Sequence, residues 1–274
     1  MKKSELLTGQ VAIVTGAGRG IGRATALALA QASAAIVAAS RSADELHGLA
    51  DEIKQQGGKA LAIPTDVSDM AQVDYLLVLT LRAFGKVDIL VNNAGLVQPI
   101  GKVWETSPLA WQKLIAVNET APYLSARAVL PQMLDRGSGR IINVSSGVAE
   151  RSLEGLSAYT ASKAALERLS STMAIEVKNR GIVVTTLRPG SVDTPMQADI
   201  RRTPAHFFPK VSRWEAMYTE GRLRPPTDPA QAILWLASHF AQDCNGQLFD
   251  LEDEAFWQRV SLDLELPVSS PVTH

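Results

Sequence analysis

Three observations predict an α/β fold in which a seven-stranded parallel sheet is doubly wound, with helices on both faces. Short apolar runs recur at 11–14, 35–39, 60–63, 89–91, 141–144, 183–187 and 248–251. Helical patterns fill the intervals, and that alternation implies right-handed crossovers and strands covered on both sides. The first run ends in a glycine-rich turn with the pattern Thr-Gly-x-x-x-Gly-x-Gly, carried by Gly16, Gly20 and Gly22, which opens an alanine-rich helix. Ligands of such sheets bind outside the carboxyl ends of the strands, so the functional residues should follow the strands.

Composition bounds the partners. At 274 residues with 46% hydrophobic side chains, the chain can bury a large core and is expected to form one domain over 1–274. A formal charge of −1, from 27 basic and 28 acidic residues, gives no footprint for nucleic acid or a membrane surface, while small anions stay open as partners. A single cysteine, Cys244, excludes an internal disulfide. His47, His206, His239 and His274 lack metal-ligand spacing, so no metal is expected. Residues 1–10 are polar and no apolar stretch approaches a membrane span, so a cytoplasmic, soluble protein is expected.

The turn after the first run reads as a pyrophosphate cradle of the Rossmann-like kind. Glycine tolerates the sharp turn and the close approach of a phosphate, and the N-terminus of the next helix offers free N–H groups and a positive dipole end. After the second run stands Ser40-Arg41. An acid there would bond a ribose 2′-hydroxyl, whereas arginine suits a 2′-phosphate. Arg19 in the glycine turn reaches toward the same place, and a guanidinium fork matches phosphate. Each arginine alone also reads as a solvated surface charge; together they favour NADP over NAD.

The third run ends in Thr65-Asp66-Val67, an edge for an adenine, with Asp66 equally readable as a cap for a helix over 69–84. The fourth ends in Asn92-Asn93-Ala94-Gly95, small enough for a ribose to approach, although paired asparagines also satisfy loop amides. A long helical pattern over 109–135 contains Asn118 and, four residues on, Pro122, which has no N–H for the Asn118 carbonyl; a kink is expected there. The fifth run leads to Ser145-Ser146, then to Tyr159 and Lys163, whose spacing places phenol and ammonium on one helix face. The sixth ends Arg188-Pro189-Gly190-Ser191-Val192-Asp193-Thr194. Residues 195–226 form an irregular insertion with Phe207, Phe208, Trp214 and Tyr218, read as a substrate lid. The tail, 252–274, reads as loosely held.

In this order the glycine turn, Asn92-Asn93-Ala94-Gly95, Asn118, Ser146, Tyr159-x-x-x-Lys163 and Pro189-Gly190 resemble the short-chain dehydrogenase/reductase family over about residues 8–251. The resemblance implies an oxidoreductase in which Tyr159 is the general acid, Lys163 lowers its pKa and bonds the nicotinamide ribose, Ser146 holds the substrate oxygen and Asn118 completes a proton relay. It implies cofactor contacts from Gly16, Arg19, Gly20, Ile21, Gly22, Ser40, Arg41, Asp66, Val67, Asn93, Ala94, Gly95, Tyr159, Lys163, Pro189, Gly190, Val192 and Thr194. The expected cofactor is NADP(H) rather than NAD(H), and the expected substrate is a small carbonyl compound or alcohol. A 3-oxoacyl-thioester reductase is the nearest enzymatic alternative, and a non-catalytic NADP-binding sensor or scaffold the alternative of another class.

Two departures stand out. Ser33 replaces the usual glycine after the first helix, and the last strand runs through 246–254 with an acidic 252–254 ending where the family commonly has Val-Asp-Gly-Gly. That edge often builds a tetramer, so a homodimer is expected, with a tetramer as the alternative. Together with Asp193-Thr194-Pro195-Met196-Gln197, the acidic ending resembles the sepiapterin and benzil-diketone reductase branch.

Overall fold

The computed structural model describes residues 2–266. All seven expected strands form: β1 (Val11–Thr15), β2 (Ala35–Ser40), β3 (Lys59–Pro64), β4 (Ile89–Asn92), β5 (Gly139–Val144), β6 (Ile182–Arg188) and β7 (Leu248–Asp250). They make one parallel sheet in the order β3-β2-β1-β4-β5-β6-β7. The chain winds outward one way through β3 and then the other way from β4, so the crevice where loops part lies between β1 and β4.

Alternation along each strand builds two cores. Ala12 and Val14 of β1 point to one face with Ile36 and Ala38 of β2; Val11 and Ile13 point to the other with Val37 and Ala39. The first face is covered by α1 (Gly20–Gln31), α2 (Ala43–Gln55) and α9 (Thr227–Ala237). The second is covered by α3 (Met70–Phe84), α5 (Ala121–Arg136) and α6 (Ser157–Glu176). Strands buried on both faces must be apolar throughout, which is why the short runs are so visible in the sequence.

The expected kink takes a definite form. Between α4 (Pro108–Ile115) and α5, residues Ala116–Thr120 form a π-helical segment, with the Ala121 N–H reaching back to the Ala116 carbonyl. Pro122 breaks the regular ladder just beyond, and a π-bulge absorbs the mismatch. Ser33, in glycine's usual place, adopts the left-handed conformation at φ 71° after α1. Its hydroxyl donates to the Ser4 carbonyl at 2.7 Å, a local partner that offsets part of the cost.

Two expectations need correction. The insertion at 195–226 is not irregular: it folds into α7 (Pro195–Arg201) and α8 (Val211–Thr219), too short and too interrupted to show a helical period. Nor is the tail loose as far as it is described. In α10 (Glu254–Asp263) Phe256 and Val260 are buried, and Phe256 meets Trp235 edge-on at 5.7 Å and Phe249 at 4.7 Å. The Trp235 indole N–H donates to Asp263 Oδ2 at 2.7 Å. Residues 267–274 of the expected loose tail lie outside the described residues.

Docking of α10 predicts that Phe256→Ala costs about 3–5 kcal/mol of stability, the usual cost of emptying a buried aromatic site. Guanidinium unfolding followed by tryptophan fluorescence measures it, and a loss below about 0.5 kcal/mol would return the tail to the loosely held class.

Candidate active site

The carboxyl ends of the strands open onto a cavity of about 750 Å³, lined at one end by Gly16, Gly20 and Ile21 and at the other by Tyr159, Met196 and Trp214. At the first end the backbone is packed as tightly as glycine allows. Gly16 has φ +66°, and a Cβ on it would lie 2.9 Å from Ala94 Cα. A Cβ on Gly22 would overlap the Gly16 carbonyl.

Asn93 clamps this turn from β4. Its Nδ2 donates to the Thr15 carbonyl at 2.9 Å and the Gly16 carbonyl at 3.2 Å, while the Asn93 and Ala94 amides donate to Thr15 Oγ1 at 3.0 and 3.2 Å. Asn93 reads in the sequence as either a ribose contact or a loop clamp; its side chain is a clamp, and Asn93, Ala94 and Gly95 all line the cavity. No side chain caps the N-terminus of α1, where Arg19 is the extended first residue. Free helical N–H groups at a glycine cradle fit a pyrophosphate.

Beyond β2 the cavity is lined by Ser40 and the exposed Arg41 and Arg19. Among the described residues Ser40 Oγ is buried without a hydrogen-bond partner, an orphan that a ribose or phosphate oxygen would satisfy. Asp66 and Val67 line the same region. Asp66 is not the helix cap: Asp69 caps α3, accepting from the Ala71 and Gln72 amides. Asp66 Oδ1 instead accepts from the Ser68 hydroxyl at 2.6 Å, which with the nearby Arg41 charge holds its carboxyl below the usual range. Pro189, Gly190, Val192 and Thr194 complete the rim after β6.

At the other end, the first turns of α6 place Tyr159 and Lys163 in the cavity wall. The phenol is buried, its hydroxyl facing Ser146 and standing 3.9 Å from Met196 Sδ. Burial pushes the phenol pKa up, against the smaller opposing influence of the Ser146 side chain. Lys163 Nζ donates to the Val144 carbonyl at 2.8 Å and lies 5.8 Å from the Tyr159 ring centre. Burial draws the ammonium down to about 8, against the field of Glu167. Instead of the lowering of the phenol expected from Lys163, burial dominates at both groups.

Asn118 sits behind this pair. Its Nδ2 donates to the Leu96 carbonyl at 2.8 Å and Ser162 Oγ at 3.1 Å, and its Oδ1 accepts from the Leu96 amide at 2.8 Å. The side chain is thus fully engaged, and the main-chain carbonyl at the π segment is what Asn118 has left to offer.

The two adjacent serines part company. Ser145 Oγ donates to Glu167 Oε1 at 2.8 Å, away from the phenol that Ser146 faces. Glu167 is also gripped by Arg188, Nε to Oε1 at 2.8 Å and Nη2 to Oε2 at 2.7 Å, and Arg188 reaches Glu150 at 2.7 Å. These two hydrogen-bonded carboxylates raise the Arg188 pKa still further. Sequence reasoning missed Glu167, although it stands one helical turn beyond Lys163.

The aromatics of 195–226 divide as well. Trp214 lines the cavity, whereas Phe208 is fully buried against its edge, Tyr218 lies under the Arg201 guanidinium, and Phe207 faces outward against His206. Of the six basic residues in 195–226, Arg213, Arg222 and Arg224 line the cavity. Among the described residues no cluster of acidic, histidine or cysteine side chains could hold a metal, and no helix is long and apolar enough to cross a membrane.

Comparison with known proteins agrees with this geometry. The chain is 34% identical over 251 residues, 92% of its length and 97% of the relative's, to the 2,5-dichloro-2,5-cyclohexadiene-1,4-diol dehydrogenase LinX of Sphingobium indicum. Among solved structures it resembles a protein proposed to be an NAD(P)-dependent gluconate 5-dehydrogenase from Beutenbergia cavernae, holding NADP at low occupancy. There the TM-score is 0.81 and the identity 34%, over 90% of this chain and 96% of that one. It also resembles the 3-ketoacyl-(acyl-carrier-protein) reductase of Brucella melitensis in complex with NADH, with TM-score 0.79 and 32% identity over 89% of this chain and 97% of that one. Residues 10–205 match the family model for short chain dehydrogenases, and the chain belongs to the short-chain dehydrogenase/reductase family of nicotinamide-dependent oxidoreductases.

Proposed function

We propose that the protein is an NADP(H)-preferring carbonyl reductase that uses Tyr159 as general acid, and as general base in the reverse direction. One observation carries the reading: a buried phenol, with a serine hydroxyl facing it and an ammonium beside it, stands at one end of a cavity whose other end is a glycine cradle. The nicotinamide cofactor, when bound, supplies the hydride for reduction and takes it in oxidation. Gly16, Gly20, Gly22 and the N-terminus of α1 would hold the pyrophosphate. Ser40, Arg41 and Arg19 would meet the adenosine ribose and its 2′-phosphate, Asp66 and Val67 the adenine, and Pro189, Gly190, Val192 and Thr194 the nicotinamide end.

Each catalytic residue has a task that its position supports. Ser146 donates to the substrate oxygen, and Tyr159 gives that oxygen its proton as the carbon is reduced, so that C=O becomes CH–OH. The phenolate left behind is stabilised by the Lys163 ammonium, since a cation within several ångströms favours the charged form. The Asn118 carbonyl, short of a regular helical donor, would accept a hydrogen bond from a water and so position it to pass a proton back toward the Tyr159 phenolate. Val148, Leu153, Met196, Ile200, Trp214 and Met217 make the substrate end of the cavity apolar, and 195–226 covers it as a lid. An apolar wall with one aromatic face suits a planar, cyclic or vicinal dicarbonyl compound, and similarity to a dehydrogenase of a cyclohexadiene-diol supports a six-membered ring. Similarity to a ketoacyl reductase supports the second reading, a 3-oxoacyl-thioester reductase.

Oxidation of NADPH against cyclic diketones, quinones, pterins and acyl thioesters tests the substrate; turnover confined to the thioesters selects the second reading. Tyr159→Phe is expected to bind NADPH and lose turnover. Ser146→Ala should lower kcat about 10²–10³-fold through loss of a donor to the reacting oxygen. Ser145→Ala should lower it less than about threefold, because that hydroxyl serves Glu167; reversal of the two serines would overturn the assignment.

Arg41→Asp should move the kcat/KM ratio toward NAD(H) by about 10–150-fold, the equivalent of a charge-assisted contact of roughly 1.5–3 kcal/mol. An unchanged ratio would remove Arg41 from the site.

Lys163 carries a pH signature. Its pKa in the fold, about 8, lies below the 10.5 of the unfolded chain, so between those values the unfolded chain binds more protons. Its burial therefore costs stability below pH 8, and that cost fades as pH rises. The stability of the cofactor-free protein relative to Lys163→Met should climb by up to about 1.4 kcal/mol per pH unit from 8 to 10.5, measured by denaturant unfolding. A difference independent of pH would contradict a charged, buried Lys163.

A further inference from the structure

The adenosine corner lacks an acid at the end of β2, where Ser40 stands, yet an acid reaches the corner from α2. Glu45, in the first turn of that helix, lays its side chain over Gly18 in the glycine turn. A Cβ on Gly18 would collide with the Glu45 carboxylate and would lie 3.2 Å from Ser40 Oγ, so carboxylate and orphan hydroxyl share one corner. Gly18 has no positive φ that would demand glycine; what occupies the space of its missing side chain is Glu45. Glu45, Arg19 and Arg41 all line the cavity, and among the described residues none of the three makes an ion pair.

Three charges that make no ion pair among the described residues, set around one buried hydroxyl, make a corner with two modes of recognition. An ionised carboxylate only accepts hydrogen bonds, so it takes a ribose hydroxyl and repels a phosphate in the same position. Two guanidinium groups do the reverse. We propose that Glu45 is a specificity-determining residue that accepts from the adenosine 2′-hydroxyl of NAD(H) and opposes the 2′-phosphate of NADP(H). It thereby holds the preference set by Arg19 and Arg41 to a modest one, and the chain accepts both cofactors. This rests on the reading that the corner beside Ser40 receives the adenosine ribose.

Calorimetric titration of the full chain with 5′-ADP and 2′,5′-ADP tests the inference without turnover. In Glu45→Gln the ratio of Kd for 5′-ADP to Kd for 2′,5′-ADP should rise about tenfold. Gly18→Ala, which displaces the same carboxylate while leaving its charge on the helix, should raise the ratio in the same direction. If both variants keep the wild-type ratio within twofold, Glu45 merely favours the N-terminus of α2 and the inference is overturned. The Arg19→Ala/Arg41→Ala double variant separates the two levels. Loss of 2′,5′-ADP affinity there upholds the ribose-corner reading whatever Glu45 does. Unchanged affinity there, or no binding of either nucleotide to the wild-type chain, overturns that reading and the inference together.

Discussion

The central strands end in buried polar groups, and the need to pair each of them fixes the loops that carry the chemistry. Thr15, Asn92, Asn143 and Arg188 are all buried at the carboxyl edge of the sheet. Leaving any one unpaired would cost roughly 1–3 kcal/mol, and more for the guanidinium. The partners form a chain across the sheet. Thr15 Oγ1 donates to the Val91 carbonyl and receives the Asn93 and Ala94 amides; Asn92 Nδ2 donates to Asn143 Oδ1 at 2.9 Å; Asn143 Nδ2 donates to Ser170 Oγ at 2.8 Å on α6. The glycine turn, the Asn93 loop and α6 are thereby set against one another before any ligand arrives.

Beside this chain the same logic sorts the groups around Tyr159. Successive residues leaving β5 point to opposite sides, so of Ser145 and Ser146 one turns inward. The inward one is claimed by Glu167, which also carries both bonds from Arg188; that leaves Ser146 for the phenol. Breaking the Arg188–Glu167 pair would strand a charge among buried groups, which is the expensive event in such networks. Because Glu167 lies one turn from Lys163 on α6 and its field favours the ammonium, the pair that holds the serine loop also keeps charge on the lysine.

The sheet was legible because strands buried on both faces cannot hide: every run from 11–14 to 248–251 corresponds to a strand. The glycine turn and Tyr159/Lys163 were legible because their chemistry depends on spacing within one turn or one helix. What the sequence concealed was pairing at a distance. Arg188 and Glu167 are 21 residues apart, and Glu45 meets Gly18 across the first crossover, so nothing local announces either. Asn118 was found through Pro122, yet its side-chain grip on Leu96 depends on where the π segment comes to lie. Helices α7, α8 and α10 were missed for another reason: their apolar stripes are only two or three residues long, and tertiary contacts rather than period hold them.

This division of labour bears on specificity. The glycine turn and the Asn93 loop are held by the paired edge of the sheet, whereas α7 and α8, which line the other end of the cavity, are tied back by lighter bonds. Gln197 Nε2 donates to the Trp214 carbonyl at 3.4 Å, Thr194 Oγ1 caps α7, and a single bridge joins Val192 to Arg224. Gln197 Oε1, buried at the cavity wall, has no hydrogen-bond partner among the described residues. Met196, Gln197 and Trp214 can therefore change without touching a member of the Asn92–Asn143–Ser170 chain or the Arg188 pair. The segment nonetheless packs against Tyr159, which shares one buried cluster with Ile200, Phe208 and Val211, and Met196 Sδ stands 3.9 Å from the phenol hydroxyl.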